Sequence, residues 1–115
     1  MRNSEETSLQ KAVIKLWRMN GVPGSILAHI PNGERRDEIT GARLKAMGVM
    51  PGMPDLLAGS EKEKIFFVEL KKKGGRLSPA QKLVHELLQT IGIEVYVLDE
   101  LEDVVSLLRE KSVLR

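Results

Sequence analysis

The sequence predicts an α/β fold in which a mixed central β-sheet is flanked by helices. Three observations lead to this class. Apolar residues recur with the helical period in the first and last segments of the chain. Short apolar runs bounded by glycine, proline and polar residues indicate strands between them. The elements then follow the order α, β, α, β, β, α, β, α, for which a sheet covered by helices is the natural packing.

The N-terminal part predicts a helix, a short strand and a brief second helix. Ser4 is a plausible N-cap for a helix over residues 5–19, which ends at Gly21. Its apolar residues at helical spacing are Leu9, Ala12, Val13 and Leu16. A strand is predicted over 26–30, closed by a Pro-Asn-Gly turn, and a brief helix over 38–47.

Two strands follow a Pro-Gly-Met-Pro break in the middle of the chain. The first covers residues 55–58 and the second 65–71, with a polar turn between them. Because that connection is short, the two strands are expected to pair as an antiparallel hairpin. The second strand begins with four consecutive apolar residues, which is typical of a central strand covered on both faces.

The C-terminal part predicts a helix, a strand and a last helix. Ser78 is the expected N-cap of a helix over 79–91, because proline follows it and Gln81 stands three residues later. A strand is predicted over 93–98 and an amphipathic helix over 101–111. The apolar positions of that last helix include Val104, Val105, Leu107 and Leu108.

Composition limits the kind of protein. The 115 residues suit a single domain, 1–115, and 42% of them are hydrophobic. Cysteine is absent, which excludes disulfides and thiolate metal sites and fits a reducing compartment. No apolar run approaches the roughly 18 residues that span a bilayer. The polar, acidic N-terminal segment is unlike a secretory signal, so we expect a cytoplasmic protein.

Local charge is more informative than the formal net charge of +2. Two basic groups stand out along the chain: Lys71, Lys72, Lys73, Arg76 and Lys82, and then Arg35, Arg36, Arg43 and Lys45. Such groups can follow a phosphate backbone. The alternative is that they are two solvated faces.

Charged residues interrupt the apolar strand over 65–71. With a side-chain period of two, Glu69 and Lys71 point to the same face, about 7 Å apart along the strand. A buried charged pair is costly unless it is paired or bound to a metal. The alternative is that the strand leaves the core at this point and both charges meet water.

Asp55 begins the preceding strand, and its position favours a metal site. The hairpin can bring it beside Glu69, and a divalent cation is the usual reason to keep two adjacent carboxylates ionised. Together with Lys71, this set matches what phosphodiester hydrolysis requires. A metal lowers the pKa of bound water, and a lysine stabilises developing negative charge.

Pro54-Asp55 followed by Glu69-Leu70-Lys71 resembles the signature of the PD-(D/E)XK nuclease superfamily. Further motifs narrow the resemblance to the VRR-NUC family: Glu6-x-x-x-Gln10, Asn32-Gly33, Gly48-x-x-x-Gly52-x-Pro54-Asp55-Leu56, Val68-Glu69-Leu70-Lys71 and Gly75-Arg76-Leu77-Ser78-Pro79-x-Gln81. The resemblance runs from Glu6 to about Leu108. It implies a restriction-endonuclease-like core of αβββαβ order.

The resemblance also implies roles for the matching residues. Asp55, Glu69 and the backbone carbonyl of Leu70 would bind Mg²⁺ or Mn²⁺, and Lys71 would be the catalytic lysine. Gln81 would point into the same site, although its position also suits a capping box with the Ser78 amide.

Helix 1 would add Glu6 as a further catalytic residue and metal ligand. Its spacing to Gln10 selects it, with Glu5 or a solvated first turn as the alternatives.

Other polar and aromatic residues receive looser assignments. We expect phosphate contacts from a basic set: Lys72, Lys73, Arg76 and Arg43. Asn32 could contact DNA, but Asn-Gly is first of all a turn. His29 is expected in a strand and His85 on a helix surface, neither as a ligand. The aromatic residues expected in the core are Trp17, Phe66 and Phe67.

The family resemblance implies a metal-dependent endonuclease that cuts branched DNA such as Holliday junctions, in a bacterial or phage-infected cell. Two opposed strands need two active sites, so a homodimer is expected. The last helix could supply its interface, or cover the sheet instead. The rival interpretations are a catalytically inactive nucleic-acid-binding module of the same fold, and a plain α/β scaffold with solvated charges.

Overall fold

The computed structural model describes residues 3–31 and 38–115, and it contains every predicted element in the predicted order. The elements are α1 (Ser4–Asn20), β1 (Ile26–His29), α2 (Glu38–Ala46), β2 (Leu56–Gly59), β3 (Phe66–Leu70), α3 (Pro79–Thr90), β4 (Val95–Leu98) and α4 (Leu101–Glu110). The α/β class with a mixed sheet and flanking helices is confirmed.

The sheet has the strand order β1-β2-β3-β4. β1 pairs with β2 and β2 with β3 in antiparallel fashion, so the predicted hairpin is confirmed. β4 instead lies parallel to β3, which it reaches through the crossover helix α3. β3 is therefore a central strand, and all five of its residues are buried.

One face of the sheet carries the main hydrophobic core. Phe66, Val68 and Leu70 point to this face from β3, where α1 and α4 cover them. α4 contributes a buried set: Val104, Leu107 and Leu108. Of the two uses considered for the apolar residues of α4, covering the sheet is therefore the one that these three side chains have.

The opposite face of the sheet is covered by α3. Phe67 and Glu69 alternate with the core residues of β3 and so point to this second face. α3 buries Val84 and His85 against it. Glu69 and His85, the buried polar side chains of these two elements, therefore lie between β3 and α3, apart from the main core.

The start of α1 differs by one residue from the prediction. Asn3 is the N-cap, and its Oδ1 accepts a 2.8 Å hydrogen bond from the backbone N–H of Glu5, whereas Ser4 is the first helical residue. Both residue types are good N-caps, so the sequence alone does not separate them. Near the other end, Trp17 packs against the core and donates from Nε1 to Ser25 Oγ at 2.9 Å. The predicted core positions of Phe66 and Phe67 are also confirmed.

Candidate active site

Glu69 is a buried carboxylate on the central strand. It is only 1% exposed, and its neighbours Val68 and Leu70 are fully buried. Lys71 follows directly after β3 and is half-buried, and the strand period places it on the same side as Glu69. The strand thus delivers one acid and one base to the space under α3, and the interpretation that both charges simply meet water does not hold for Glu69.

Asp55 is brought to the same place by the β2–β3 register. Leu56 pairs with Val68, so continuing the antiparallel ladder by one step sets Asp55 opposite Glu69. Asp55 is 2% exposed, and its Oδ2 accepts a 2.7 Å hydrogen bond from the backbone N–H of Leu70. This bond joins the end of β3 to the residue that precedes β2.

The backbone of Asp55 is fixed by β1. Its carbonyl oxygen accepts from the N–H of Ile30 at 2.8 Å and from His29 Nδ1 at 2.9 Å. His29 lies in β1, as predicted, and its ring contacts the backbone of Asp55. Asp55 is therefore held on two sides by neighbouring strands.

Gln81 joins the first turn of α3 to Lys71. The predicted capping box is present: Ser78 Oγ accepts from the Gln81 N–H, and Gln81 Oε1 accepts from the Ser78 N–H at 2.8 Å. The same Oε1 also accepts from Lys71 Nζ at 3.0 Å. The two positions considered for Gln81, helix cap and site residue, are therefore compatible and occur together.

The prediction that His85 lies on a helix surface is wrong. His85 is 5% exposed, and its Nε2 lies 3.1 Å from Glu69 Oε1. Burial, followed by the positive charge of Lys71, lowers the pKa of His85, while the charge of Asp55 raises it. Because a carboxylate oxygen accepts, the contact indicates that Nε2 carries a hydrogen and donates it to Glu69. One signal was available, because His85 stands one helical turn after Gln81.

The Glu6 carboxylate points toward the end of β3, where it accepts a hydrogen bond from the backbone. Glu6 Oε2 accepts a 3.0 Å hydrogen bond from the N–H of Lys72, whereas Glu5 is exposed. The spacing to Gln10 therefore selected the carboxylate that faces the site. Its role as a metal ligand stays a prediction.

Gly52 allows the loop before Asp55 to pass close to α3. A Cβ at this position would lie 2.4 Å from the carbonyl oxygen of Ala80, and the φ angle is +92°. Both features favour glycine. The close approach brings the Pro54-Asp55 segment against the first turn of the helix that carries Gln81.

The donor chemistry at this end of the sheet fits a hard divalent cation. Asp55 and Glu69 offer carboxylate oxygens and Leu70 a backbone carbonyl, which are ligand types that suit Mg²⁺ and Mn²⁺. Within the described ranges, 3–31 and 38–115, no group of three or more His, Cys, Asp and Glu side chains could hold a metal ion. Two carboxylates, a backbone oxygen and water would be enough to hold such a cation.

The basic residues predicted to contact phosphates are exposed. Lys72, Arg76 and Arg43 all face solvent, and Lys73 Nζ lies 3.4 Å from Glu100 Oε1. Asn32, with Arg35 and Arg36, falls outside the described residues, so the expectation placed on it stays open. The phosphate contacts predicted for the basic set remain predictions.

None of the helices in the described part of the chain is both long and apolar enough to cross a membrane.

Comparison with known proteins identifies the family. Two solved structures share the fold. One, titled "VRR_NUC domain", is 22% identical with a TM-score of 0.63, over 93% of this chain and 97% of that one. The other, "VRR_NUC domain protein", is 24% identical with a TM-score of 0.74, over 96% and 90% of the two chains. No curated protein sequence matches significantly. The family model of the VRR-NUC domain matches residues 4–100. The chain therefore belongs to the VRR-NUC family, whose domain is of the nuclease type.

Proposed function

We propose that the protein is a metal-dependent endodeoxyribonuclease that hydrolyses phosphodiester bonds in DNA. One observation carries the proposal: two buried carboxylates, Asp55 directly before β2 and Glu69 on β3, lie opposite each other beside Lys71. The amine of Lys71 is held in place by Gln81. Burying two acids and a base together is costly for folding, and it is expected at a site that needs them for chemistry. Because DNA is the proposed substrate, we place the protein in the cytoplasm of a bacterial or phage-infected cell.

Each residue has a distinct part in the proposed reaction. Asp55, Glu69 and the Leu70 carbonyl would hold Mg²⁺ or Mn²⁺, which lowers the pKa of a bound water and neutralises phosphate charge. The Leu70 N–H fixes Asp55, so that carboxylate is oriented before substrate arrives. The ammonium group of Lys71 stabilises the charge that develops on the scissile phosphate, and its contact with Gln81 limits the positions it can take.

The first experiment is a cleavage assay on linear and branched DNA, with Mg²⁺, with Mn²⁺ and with EDTA. Cleavage that requires the metal and disappears in Lys71→Ala supports the proposal. Lys62→Ala is the matched control, because Lys62 is an exposed lysine in the β2–β3 turn, at the far end of the hairpin. DNA binding without cleavage under all conditions would instead indicate an inactive binding module.

We further propose that the active form is a homodimer that prefers branched DNA such as Holliday junctions. α3 offers an apolar stripe for an interface, since Leu83, Leu87 and Ile91 are spaced by one helical turn and are 58%, 50% and 73% exposed. A two-fold dimer would place two active sites on the two equivalent strands of a junction. Light scattering during size-exclusion chromatography tests this: a mass of 12.8 kDa at all concentrations, with equal cutting of junction and linear duplex, would exclude both statements.

A further inference from the structure

His85 is a buried polar residue to which the proposed reaction gives no part. Within the described residues, the buried polar and charged side chains are Ser25, Asp55, Glu69 and His85. Ser25 lies elsewhere, between Trp17 and the backbone of Val113. The other three lie at the candidate site, and His85 reaches it from α3 through its 3.1 Å contact with Glu69.

A packing role alone does not account for an imidazole at this position. His85 stands on the inner face of α3 next to Val84, where an aliphatic residue would bury similar volume without desolvating two ring nitrogens. The ring instead donates its buried Nε2–H to one specific oxygen, Glu69 Oε1. Hydrogen bonds between a buried donor and a carboxylate are among the stronger ones, and they fix the plane of the carboxylate.

The spacing of two contacts explains how α3 can bind both charged residues at the end of β3. α3 contacts Lys71 through Gln81 and Glu69 through His85. Gln81 and His85 are four residues apart on the helix, whereas Glu69 and Lys71 are two residues apart along the strand direction. Four residues of α-helix rise about 6 Å. Two residues of a strand advance about 6.6 Å. The distances match, so an antiparallel α3 presents one donor and one acceptor in register with the acid and the base of β3.

We propose that His85 is a positioning residue that sets the orientation of the Glu69 carboxylate for divalent-cation binding through its Nε2–H. This inference rests on the proposed function, because it assigns the hydrogen bond a purpose at a metal site. Outer partners of metal-binding carboxylates typically change metal affinity by about 10- to 100-fold when they are removed. His85 would act through Glu69 and would not touch the DNA.

The test uses three substitutions of His85 in the full chain. His85→Gln places an amide N–H near the position of Nε2, whereas His85→Asn is one methylene shorter and leaves its amide near the position of Nδ1. His85→Leu keeps the apolar volume without any donor. Mn²⁺ affinity is measured by titration calorimetry without DNA, together with the melting temperature in EDTA and the cleavage rate.

We expect His85→Gln to bind Mn²⁺ within a few-fold of the parent, and His85→Asn and His85→Leu to bind about 10- to 100-fold more weakly. The Gln–Asn pair keeps the test valid if the leucine variant does not fold. Parent-like Mn²⁺ affinity in Asn or Leu, or equal loss in Gln and Asn, would leave His85 a packing residue. A parent protein that binds no Mn²⁺ would overturn the proposed function as well, and thus the two failures are distinguishable.

Discussion

The amine of Lys71 and the side-chain oxygen of Gln81 lie 3.0 Å apart, and that same oxygen accepts the N–H of Ser78 at 2.8 Å. One amide oxygen therefore closes the first turn of α3 and restrains the proposed catalytic lysine. The geometry of the helix start and the position of the amine are coupled through a single side chain.

That coupling can be separated from helix capping. Ser78→Ala removes the cap of the Gln81 N–H but not the lysine contact, whereas Gln81→Ala removes the lysine contact and the reciprocal cap. Each should cost roughly 0.5–2 kcal/mol of stability. Thermal unfolding should show similar stability losses in the two variants. The cleavage rate should fall much further in Gln81→Ala than in Ser78→Ala. Equal rates in the two variants would reduce Gln81 to a cap.

Lys71→Ala should abolish cleavage and leave the fold intact. Lys71 is half-buried directly after β3, so it contributes little to the core, but its amine lies at the candidate site, where it donates to Gln81. The measurements are single-turnover cleavage and circular dichroism, with Lys62→Ala as the control. Cleavage by Lys71→Ala at the parent rate would contradict the assignment.

Asp55 should show separable structural and chemical roles. Asp55→Ala leaves the buried N–H of Leu70 without its 2.7 Å acceptor, which should cost about 1–3 kcal/mol. Asp55→Asn keeps an oxygen at that position, so it should melt close to the parent and yet lose cleavage, because the charge is gone. Denaturant unfolding of both variants in EDTA checks this, and an equal loss of stability in both would show that the charge, not the acceptor, supports the fold.

Gly52 should tolerate alanine much less well than Gly48. Both have positive φ angles, +92° and +99°, so both substitutions carry similar backbone strain of roughly 1–2 kcal/mol. At position 52 the new Cβ meets the Ala80 carbonyl, whereas at position 48 no atom of the described residues lies within 4 Å. The difference in melting temperature between the two variants therefore measures the close approach of loop and helix, and identical melting would show that the loop can move away freely.

The exposed basic residues should govern DNA affinity without base preference. Neutralising Lys72, Arg76 or Arg43 should weaken binding to all sequences and lower the slope of log affinity against log salt by about one unit each. Lys73 pairs with Glu100, so its removal should matter less. Fluorescence anisotropy across a salt series measures both quantities. If a double variant of Lys72 and Arg76 binds like the parent, these residues are only a solvated face.

Local patterns predicted the elements of this fold well, because each depends on residues close together in sequence. The capping box of Ser78 and Gln81 and the period-two alternation of β3 are examples. The hairpin was predictable for the same reason, and with it the approach of Asp55 to β3. The family resemblance added the ligand roles, which local patterns alone left open.

Contacts that depend on tertiary packing were not predictable in the same way. His85 looked like a surface residue because a polar side chain in an amphipathic helix usually faces water. Its burial depends on how α3 is rotated over the sheet, and Glu69 supplies the partner that makes the burial tolerable. The spacing to Gln10 selected Glu6, but its contact with the Lys72 amide depends on the relative placement of α1 and β3, which a local pattern does not contain.

The packing of α1 against α4 has a consequence for synthesis. These helices cover the same face of β3 although they are separated by most of the described chain, so the core closes late, after long loops have been brought together. A ribosome-bound chain lacking α4 already contains Asp55, Glu69 and Lys71, but not the helix that buries the core face of β3, the strand that carries Glu69. Such a nascent chain would have its site residues without their rigid support, and any power to cut DNA would arise only with completed folding.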